Sequence, residues 1–109
     1  MCIRDSGAID WTKERSLEFF PPDMSKFRCL ALAFDVARLG GAAPAWFNAA
    51  NEVAVEAFLD GRISWIQISE VIEQSLQNFE QVSLESVADV QEVDSASRAA
   101  TSTGLAKFA

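Results

Sequence analysis

The amino-acid sequence predicts an all-α protein, an antiparallel four-helix bundle preceded by a short extended N-terminal linker. Apolar residues recur at spacings of three and four along several segments, and glycine, proline or serine marks most of the segment ends. The 109 residues, half of them hydrophobic, suffice for one domain with its own core. Short loops between the helices favour side-by-side packing in alternating directions.

The first predicted helix runs from about Lys26 to Leu39 and ends at a glycine pair. Asp23 and Ser25 precede it and offer capping side chains. Its apolar stripe comprises Phe27, Leu30, Phe34 and Ala37, widened by Leu32, Val36 and Leu39.

The second predicted helix, Pro44 to Asp60, is expected at the centre of the bundle. Proline suits the first helical turn, and Gly61 suits the left-handed residue just past the last turn. Its many alanines form helix readily and have little bulk, so neighbouring helices can approach closely.

The third predicted helix begins at Ser64, which forms a capping-box pattern with Gln67. Its expected apolar face comprises Trp65, Ile68, Ile72, Leu76 and Phe79, and its expected water-facing side comprises Glu70, Glu73, Gln74 and Gln77.

The fourth predicted helix has the weakest pattern of apolar residues. We expect Ser83 to cap it and Leu84, Val87 and Val90 to face inward. Because the sequence after Asp94 is rich in serine and alanine, we expect a break near Asp94 and fraying at the end of the chain.

The predicted domain organisation has three parts. Residues 1–8 have no periodicity and are interpreted as a non-native leader, residues 9–25 as a linker, and residues 26–109 as the helical bundle domain. Within the linker, residues 16–20 alternate weakly and are stopped by Pro21 and Pro22. They predict a short extended piece that is too small to form a sheet alone.

Composition excludes several classes of function. A net charge of −7 and a pI near 4.4 argue against binding nucleic acid or an anionic membrane surface. No apolar run approaches the ~20 residues that span a bilayer. Histidine is absent and the two cysteines form no metal-binding motif, so we expect no zinc site. A reducing cytoplasm is the simplest compartment.

The polar residues of the second helix are the candidate site. Glu52 and Glu56 have the spacing of metal-binding carboxylates in bundles, but a solvated helix face explains them better because no histidine accompanies them. Asn48 and Asn51 lie three apart on one face. We interpret Asn48, Asn51 and Glu52 as structural or interdomain contacts, with ligand contact by the asparagines as the alternative.

Nothing in the sequence predicts a catalytic, cofactor-binding or metal-binding residue. Cys29 lies among apolar residues and is interpreted as a small buried hydrophobe rather than a nucleophile. The aromatic residues Trp11, Phe19, Phe20, Trp46 and Trp65 belong either to the core or to a face that docks on another protein. A free-standing acidic helical interaction module is therefore one possible function.

Several motifs resemble one enzyme family. They are Asp10-Trp11-Thr12-Lys13, Phe27-Arg28-Cys29-Leu30-Ala31, Asn48-Ala49-Ala50-Asn51-Glu52 and Gly61-Arg62-Ile63. Together they look like the linker and C-terminal helical domain of 1-deoxy-D-xylulose 5-phosphate reductoisomerase, and the likeness covers residues 9 to 100. Ala42 and Ala43 depart from it, since the family commonly has a threonine there.

The resemblance implies a function for the complete enzyme rather than for this chain alone. It implies conversion of 1-deoxy-D-xylulose 5-phosphate to 2-C-methyl-D-erythritol 4-phosphate with NADPH and a divalent cation (Mg, Mn or Co), usually by a homodimer. The implied partners of this chain are the N-terminal and catalytic domains, which hold the cofactor, metal and catalytic residues. We therefore expect this chain alone to be inactive.

Overall fold

The computed structural model describes residues 8–108 and contains four helices: α1 (Arg28–Leu39), α2 (Ala43–Leu59), α3 (Trp65–Leu76) and α4 (Val87–Leu105). No strand occurs within that range, so the predicted all-α fold is confirmed. None of the helices described is both long and apolar enough to cross a membrane. The leader predicted at residues 1–8 lies, apart from Ala8, outside the described residues.

Consecutive helices run in opposite directions, as predicted. Trp46, in the first turn of α2, contacts Ser75 in the last turn of α3, so α2 and α3 run in opposite directions. Val93 of α4 shares one core cluster with Trp46, and Leu105 of α4 shares the other with Ala57, so α4 runs along α2 and opposite to α3. The most extensive helix contact is between α2 and α4, which run parallel. Helices α2 and α3 each contact the other three described helices, and the contacts of α2 are the more extensive, so α2 is the central helix of the bundle.

Small side chains explain why α2 can occupy the centre. Its buried positions recur at helical spacing over four turns, and five of them are alanines that are completely enclosed: Ala43, Ala49, Ala50, Ala54 and Ala57. With only a methyl group between the backbones, α3 and α4 can approach α2 closely. The core cluster beyond these alanines contains Leu32, Val53, Ile63, Val71, Ile72 and Leu105.

Glycines end the first two helices. After α2, the N–H of Arg62 donates to the carbonyl of Ala57 and the N–H of Gly61 to that of Phe58, which is the Schellman arrangement. It requires a left-handed residue, and Gly61 has φ of 76°. The predicted helix stop at Gly61 is confirmed.

The turn between α1 and α2 is held from a distant part of the chain. Gln81, in the loop before α4, accepts a hydrogen bond from the N–H of Ala42 at 2.8 Å and donates one to the carbonyl of Gly40 at 3.3 Å. Gly41 has φ of 60°, and a Cβ atom there would lie 2.5 Å from Oε1 of Gln81. The turn therefore needs glycine for its conformation and for space.

The predicted start of α3 is confirmed and that of α4 is wrong. Ser64 accepts the N–H of Gln67, whose side chain accepts the N–H of Ser64. Helix α4 begins instead after Ser86, which forms the same reciprocal pair with Asp89. Ser83 lacks the partner three residues on that the capping box needs, whereas Ser86 has it.

The predicted break in α4 is also wrong. The helix continues through Asp94 to Leu105, and Val93, Ser97, Thr101 and Leu105 form a buried stripe at four-residue spacing. The inward positions expected near its start are not buried, since Val87 and Val90 are exposed. The second half of α4 packs into the bundle, and its first turn extends beyond the neighbouring helices.

Three further details differ from the prediction. Helix α1 begins at Arg28 rather than Lys26, because Asp23 caps the preceding turn through the N–H groups of Ser25 and Lys26. Its buried residues are Leu32 and Val36, because it packs on only one side. On α3, Trp65 is 60% exposed because it opens the helix at the edge of the bundle.

Candidate interdomain contact site

The exposed face of α2 carries the polar residues singled out by sequence. Asn48, Glu52 and Glu56 follow at four-residue spacing on this face, and Asn51 is half-buried beside them. Oε2 of Glu52 lies 2.5 Å from Nη2 of Arg98 on α4. The same guanidinium is held by Asp94, whose Oδ2 is 2.8 Å from Nε. Glu52 therefore contributes an ion pair across the contact between α2 and α4.

Arg98 is a permanent cation in this arrangement. The hydrogen bonds that its guanidinium donates to Asp94 and, second in size, to Glu52 raise its pKa above the ordinary arginine value. Because all three side chains are partly exposed, solvent screens the attraction and its contribution to stability is small. The pair orients α4 on α2 rather than supplying chemistry.

The two asparagines have no such contact. Within residues 8–108 neither Asn48 nor Asn51 makes a side-chain hydrogen bond. The structure therefore joins Glu52 to α4 but does not bring the asparagines to any partner within the described part of the chain. Their role as interdomain contacts stays a prediction.

A buried polar network inside the bundle was missed by the sequence analysis. Nε1 of Trp46 donates to Oγ of Ser75 at 3.1 Å, and Oγ of Ser75 lies 2.6 Å from Oγ1 of Thr101. Oγ1 of Thr101 donates to the carbonyl of Ser97 at 2.7 Å, and Oγ of Ser97 donates to the carbonyl of Trp46 at 2.7 Å. These four residues connect α2, α3 and α4, and all are buried.

Each hydroxyl in the network has a defined direction. The hydroxyl of Thr101 donates its only proton to the carbonyl of Ser97. The hydroxyl of Ser75 is therefore the donor in its hydrogen bond with Thr101. Every donor is thereby satisfied, which removes the penalty for burying it. Among the described residues no carboxylate or lysine is hydrogen-bonded to these hydroxyls, and the sequence contains no histidine, so no neighbouring base activates them. The network is structural.

One sequence signal could have revealed this network. Val93, Ser97, Thr101 and Leu105 keep a spacing of four, which places two hydroxyl residues between two apolar ones on the same face. A small polar residue within an apolar stripe is a candidate for a buried hydrogen bond.

A cavity of about 430 Å³ lies between Trp46 and the first turns of α4. Glu80, Asp89 and Glu92 line it together with Val82 and Val93. Three carboxylates of one sign repel a phosphate, so this cavity does not fit NADPH or a sugar phosphate. No cluster of acidic and cysteine side chains suited to a metal ion occurs among residues 8–108.

The N-terminal segment carries the most exposed large apolar side chains among residues 8–108. Trp11, Leu17, Phe19 and Phe20 lie on a stretch without helix or strand and contribute nothing to the core clusters. A smaller apolar patch surrounds Phe27, Trp65 and Ile66, where Cys29 lines a shallow pocket. Partial burial raises the pKa of the Cys29 thiol, which disfavours the reactive thiolate.

Comparison with known proteins places this arrangement in one family. The family model for the DXP reductoisomerase C-terminal domain matches residues 3–100. The chain belongs to the 1-deoxy-D-xylulose 5-phosphate reductoisomerase family. It is 45% identical over 94 residues to the reductoisomerase of Chloroherpeton thalassium, covering 86% of this chain and 24% of that one. It is 49% identical over 104 residues to the enzyme of Bordetella petrii, covering 92% and 26%.

A solved reductoisomerase has the same fold over the matched region. It is the enzyme from Zymomonas mobilis in complex with NADPH, at 36% identity and a TM-score of 0.84, with 91% of this chain and 26% of that chain covered. The chain thus spans about a quarter of the length of the reductoisomerases it matches. Within them it corresponds to the C-terminal domain.

Proposed function

We propose that this chain acts as the C-terminal structural domain of a 1-deoxy-D-xylulose 5-phosphate reductoisomerase and contributes no catalytic residue. The complete enzyme converts 1-deoxy-D-xylulose 5-phosphate to 2-C-methyl-D-erythritol 4-phosphate with NADPH and a divalent cation, Mg, Mn or Co. The proposal rests on the family match over residues 3–100. This match covers only about a quarter of the length of the relatives.

The structural role is supported by what the bundle contains. Its polar groups are occupied in holding helices together, as in the network of Trp46, Ser75, Ser97 and Thr101. The chain also exposes large apolar residues, among them Trp11, Phe19 and Trp65, which are suited to contact with protein. We propose that the domain packs beside the catalytic part of the same chain and holds the geometry of that part.

The proposal is tested by a chimera of the Zymomonas mobilis enzyme in which residues 9–108 replace the matched region. We expect NADPH oxidation that depends on the sugar phosphate from the chimera, and none from the isolated chain. The enzyme truncated before the matched region serves as the second control. Sugar-phosphate-dependent oxidation by the isolated chain, or an inactive chimera that is folded, would contradict the proposal.

We propose that Asn48, Asn51 and Glu52 contact the rest of the enzyme or support the surface that does. Asn48 and Glu52 are exposed on the central helix and Asn51 is half-buried beside them, which supports this role. In the chimera, Asn51→Leu is expected to lower the melting temperature while kcat stays unchanged. Asn78→Leu makes the same chemical change at an exposed position just after α3 and serves as the control. Loss of turnover at unchanged thermal stability would show a catalytic role instead.

We further propose that the parent enzyme is a cytoplasmic homodimer with no nucleic-acid or membrane partner. The net charge of −7 supports the last two points, since phosphate-rich surfaces repel an acidic protein. Light scattering of the chimera tests the dimer, and a monomer at micromolar concentration would contradict it.

A further inference from the structure

Residues 14–22 leave their backbone unpaired. Within the described part of the chain, none of their N–H or C=O groups takes part in a hydrogen bond. The stretch has defined ends: a turn at Asp10, which accepts hydrogen bonds from Thr12 and Lys13, and the proline pair Pro21-Pro22.

The side chains of the same stretch are apolar and face water. Leu17 is 85% exposed and Phe19 is 89% exposed, and Phe20 beside them is also exposed. Three large apolar side chains within four residues, interrupted only by Glu18, form a patch that proteins normally cover with another surface. The bundle does not supply that surface, because its core clusters contain no residue of this stretch.

The chain is restricted to an extended conformation at this point. A residue that precedes proline is excluded from the helical region by the proline ring, and this applies to both Phe20 and Pro21. Any surface that covers Leu17 and Phe19 also removes water from the backbone between them. Buried N–H and C=O groups must then be paired, and an extended backbone pairs them along the edge of a β-sheet.

We propose that residues 14–20 add as a strand to the edge of a β-sheet in the part of the reductoisomerase chain that precedes this domain. The proposal rests on the proposed function and names the surface through which the domain docks. In this arrangement Leu17 and Phe19 share one face of the strand, and the backbone supplies the hydrogen bonds.

The length of chain outside this structure identifies the occupant. The Zymomonas mobilis structure and this chain align over only 26% of the former, so about three-quarters of such an enzyme lies elsewhere. Because the match is to the C-terminal domain, that part precedes the bundle, and residues 14–20 are tethered close to it. The tether favours that part of the same chain over a second copy, because it holds the segment at high effective concentration.

Residue-resolved hydrogen–deuterium exchange of the chimera described above tests the proposal. In a strand at a sheet edge, successive N–H groups point to opposite sides, so alternate amides bond to the sheet. Along residues 14–20 we expect every second amide to exchange about 100-fold more slowly than in the isolated chain. The isolated chain, measured at the same concentration, is the control.

Two proline variants sharpen the test. Arg15 and Ser16 are neighbouring polar residues, both exposed and without hydrogen bonds in the described part of the chain. Their amides point to opposite edges, so only one of Arg15→Pro and Ser16→Pro removes a bonded N–H. The variant that removes a bonded N–H is expected to abolish the slowed exchange of the other bonded amides in residues 14–20. The other variant is expected to leave their exchange slow.

The outcomes separate this inference from the proposed function. If the chimera is active but its residues 14–20 exchange as fast as in the isolated chain, the proposal that they form a strand is wrong. It is also wrong if both proline variants leave the slowed exchange unchanged. If residues 14–20 of the isolated chain also exchange slowly, and more slowly at higher protein concentration, the strand pairs with a second copy of the chain instead. A folded but inactive chimera contradicts the proposed function, whatever its exchange pattern.

Discussion

Two regions of the molecule reverse the usual relation between hydrophobicity and burial. The second half of α4 is rich in serine, threonine and alanine, yet Ser97 and Thr101 are completely enclosed. The N-terminal segment contains Leu17, Phe19 and Phe20, yet these are among the most exposed side chains described. In the bundle, burial follows small size and available hydrogen bonds, whereas the apolar side chains of the segment meet no other part of the described chain.

The largest effect is expected where size limits the contact between α2 and α4. Ser97→Leu inserts a bulky side chain at a fully buried position and removes the hydrogen bond to the carbonyl of Trp46. We expect the free energy of unfolding of the 109-residue chain to fall by about 3 kcal/mol, measured by urea denaturation followed by circular dichroism.

Ser95→Leu is the matched control for this change. It places the same side chain on the same helix at an exposed position. We expect a change within about 0.5 kcal/mol. If both variants lowered the free energy of unfolding equally, the small size of the side chain at Ser97 would not be what the contact between α2 and α4 needs.

The next effect concerns the turn that Gln81 holds. Gly41→Ala adds a Cβ atom 2.5 Å from the Gln81 side chain at a residue with positive φ. We expect a loss of about 2 kcal/mol in the same measurement, of which about 1 kcal/mol is backbone strain. Gly61→Ala has the strain without the contact, since nothing lies within 4 Å, and should cost about 1 kcal/mol.

A double-mutant cycle isolates the contact. In a Gln81→Ala background, Gly41→Ala should cost no more than Gly61→Ala does. If the excess cost of Gly41→Ala persists without the glutamine, the contact with Gln81 is not its cause.

A smaller effect is expected from one hydroxyl of the buried network. Thr101→Val keeps the volume but leaves the Ser75 hydroxyl without its acceptor. The free energy of unfolding should fall by about 1–2 kcal/mol. Thr103→Val makes the same change at an exposed residue that bonds only to the carbonyl of Ala99, and should stay within about 0.5 kcal/mol. A neutral Thr101→Val would mean that the hydroxyls contribute nothing to helix packing.

The smallest effect is expected in the exposed segment. Phe19→Ser should change the unfolding free energy of the isolated chain by less than about 0.5 kcal/mol, because the ring touches no core residue. Phe58→Ser is the control, since Phe58 packs against the core cluster, and should cost about 3 kcal/mol. A large loss from Phe19→Ser would show that the segment folds back on the bundle.

The elements that sequence reasoning placed well are those with local signals. The capping box of Ser64 and Gln67 and the glycine after α2 involve residues within a few positions of each other, so their pattern is visible along the chain. The same kind of signal exists at Ser86 and Asp89, and the error at the start of α4 came from preferring Ser83.

What sequence reasoning missed depends on contacts between distant residues. Whether Ser97 and Thr101 are buried depends on the alanines of α2 and on Ser75, more than 20 positions away along the chain. Trp65 fits the apolar period of α3, but its exposure depends on where the neighbouring helices end. For the candidate site, Glu52 could be singled out by spacing, whereas its partner Arg98 lies 46 residues later.

The position of α4 in the chain has a consequence during protein synthesis. Helix α4 makes the most extensive contact with the central helix, and of the four described helices it is the last to leave the ribosome. Until then the enclosed alanines of α2 and the indole N–H of Trp46 lack the surface and the full hydrogen-bond chain that they have in the finished bundle. The nascent domain therefore stays open until its final turns emerge, and a ribosome stalled before Thr101 displays an incomplete core to chaperones and proteases.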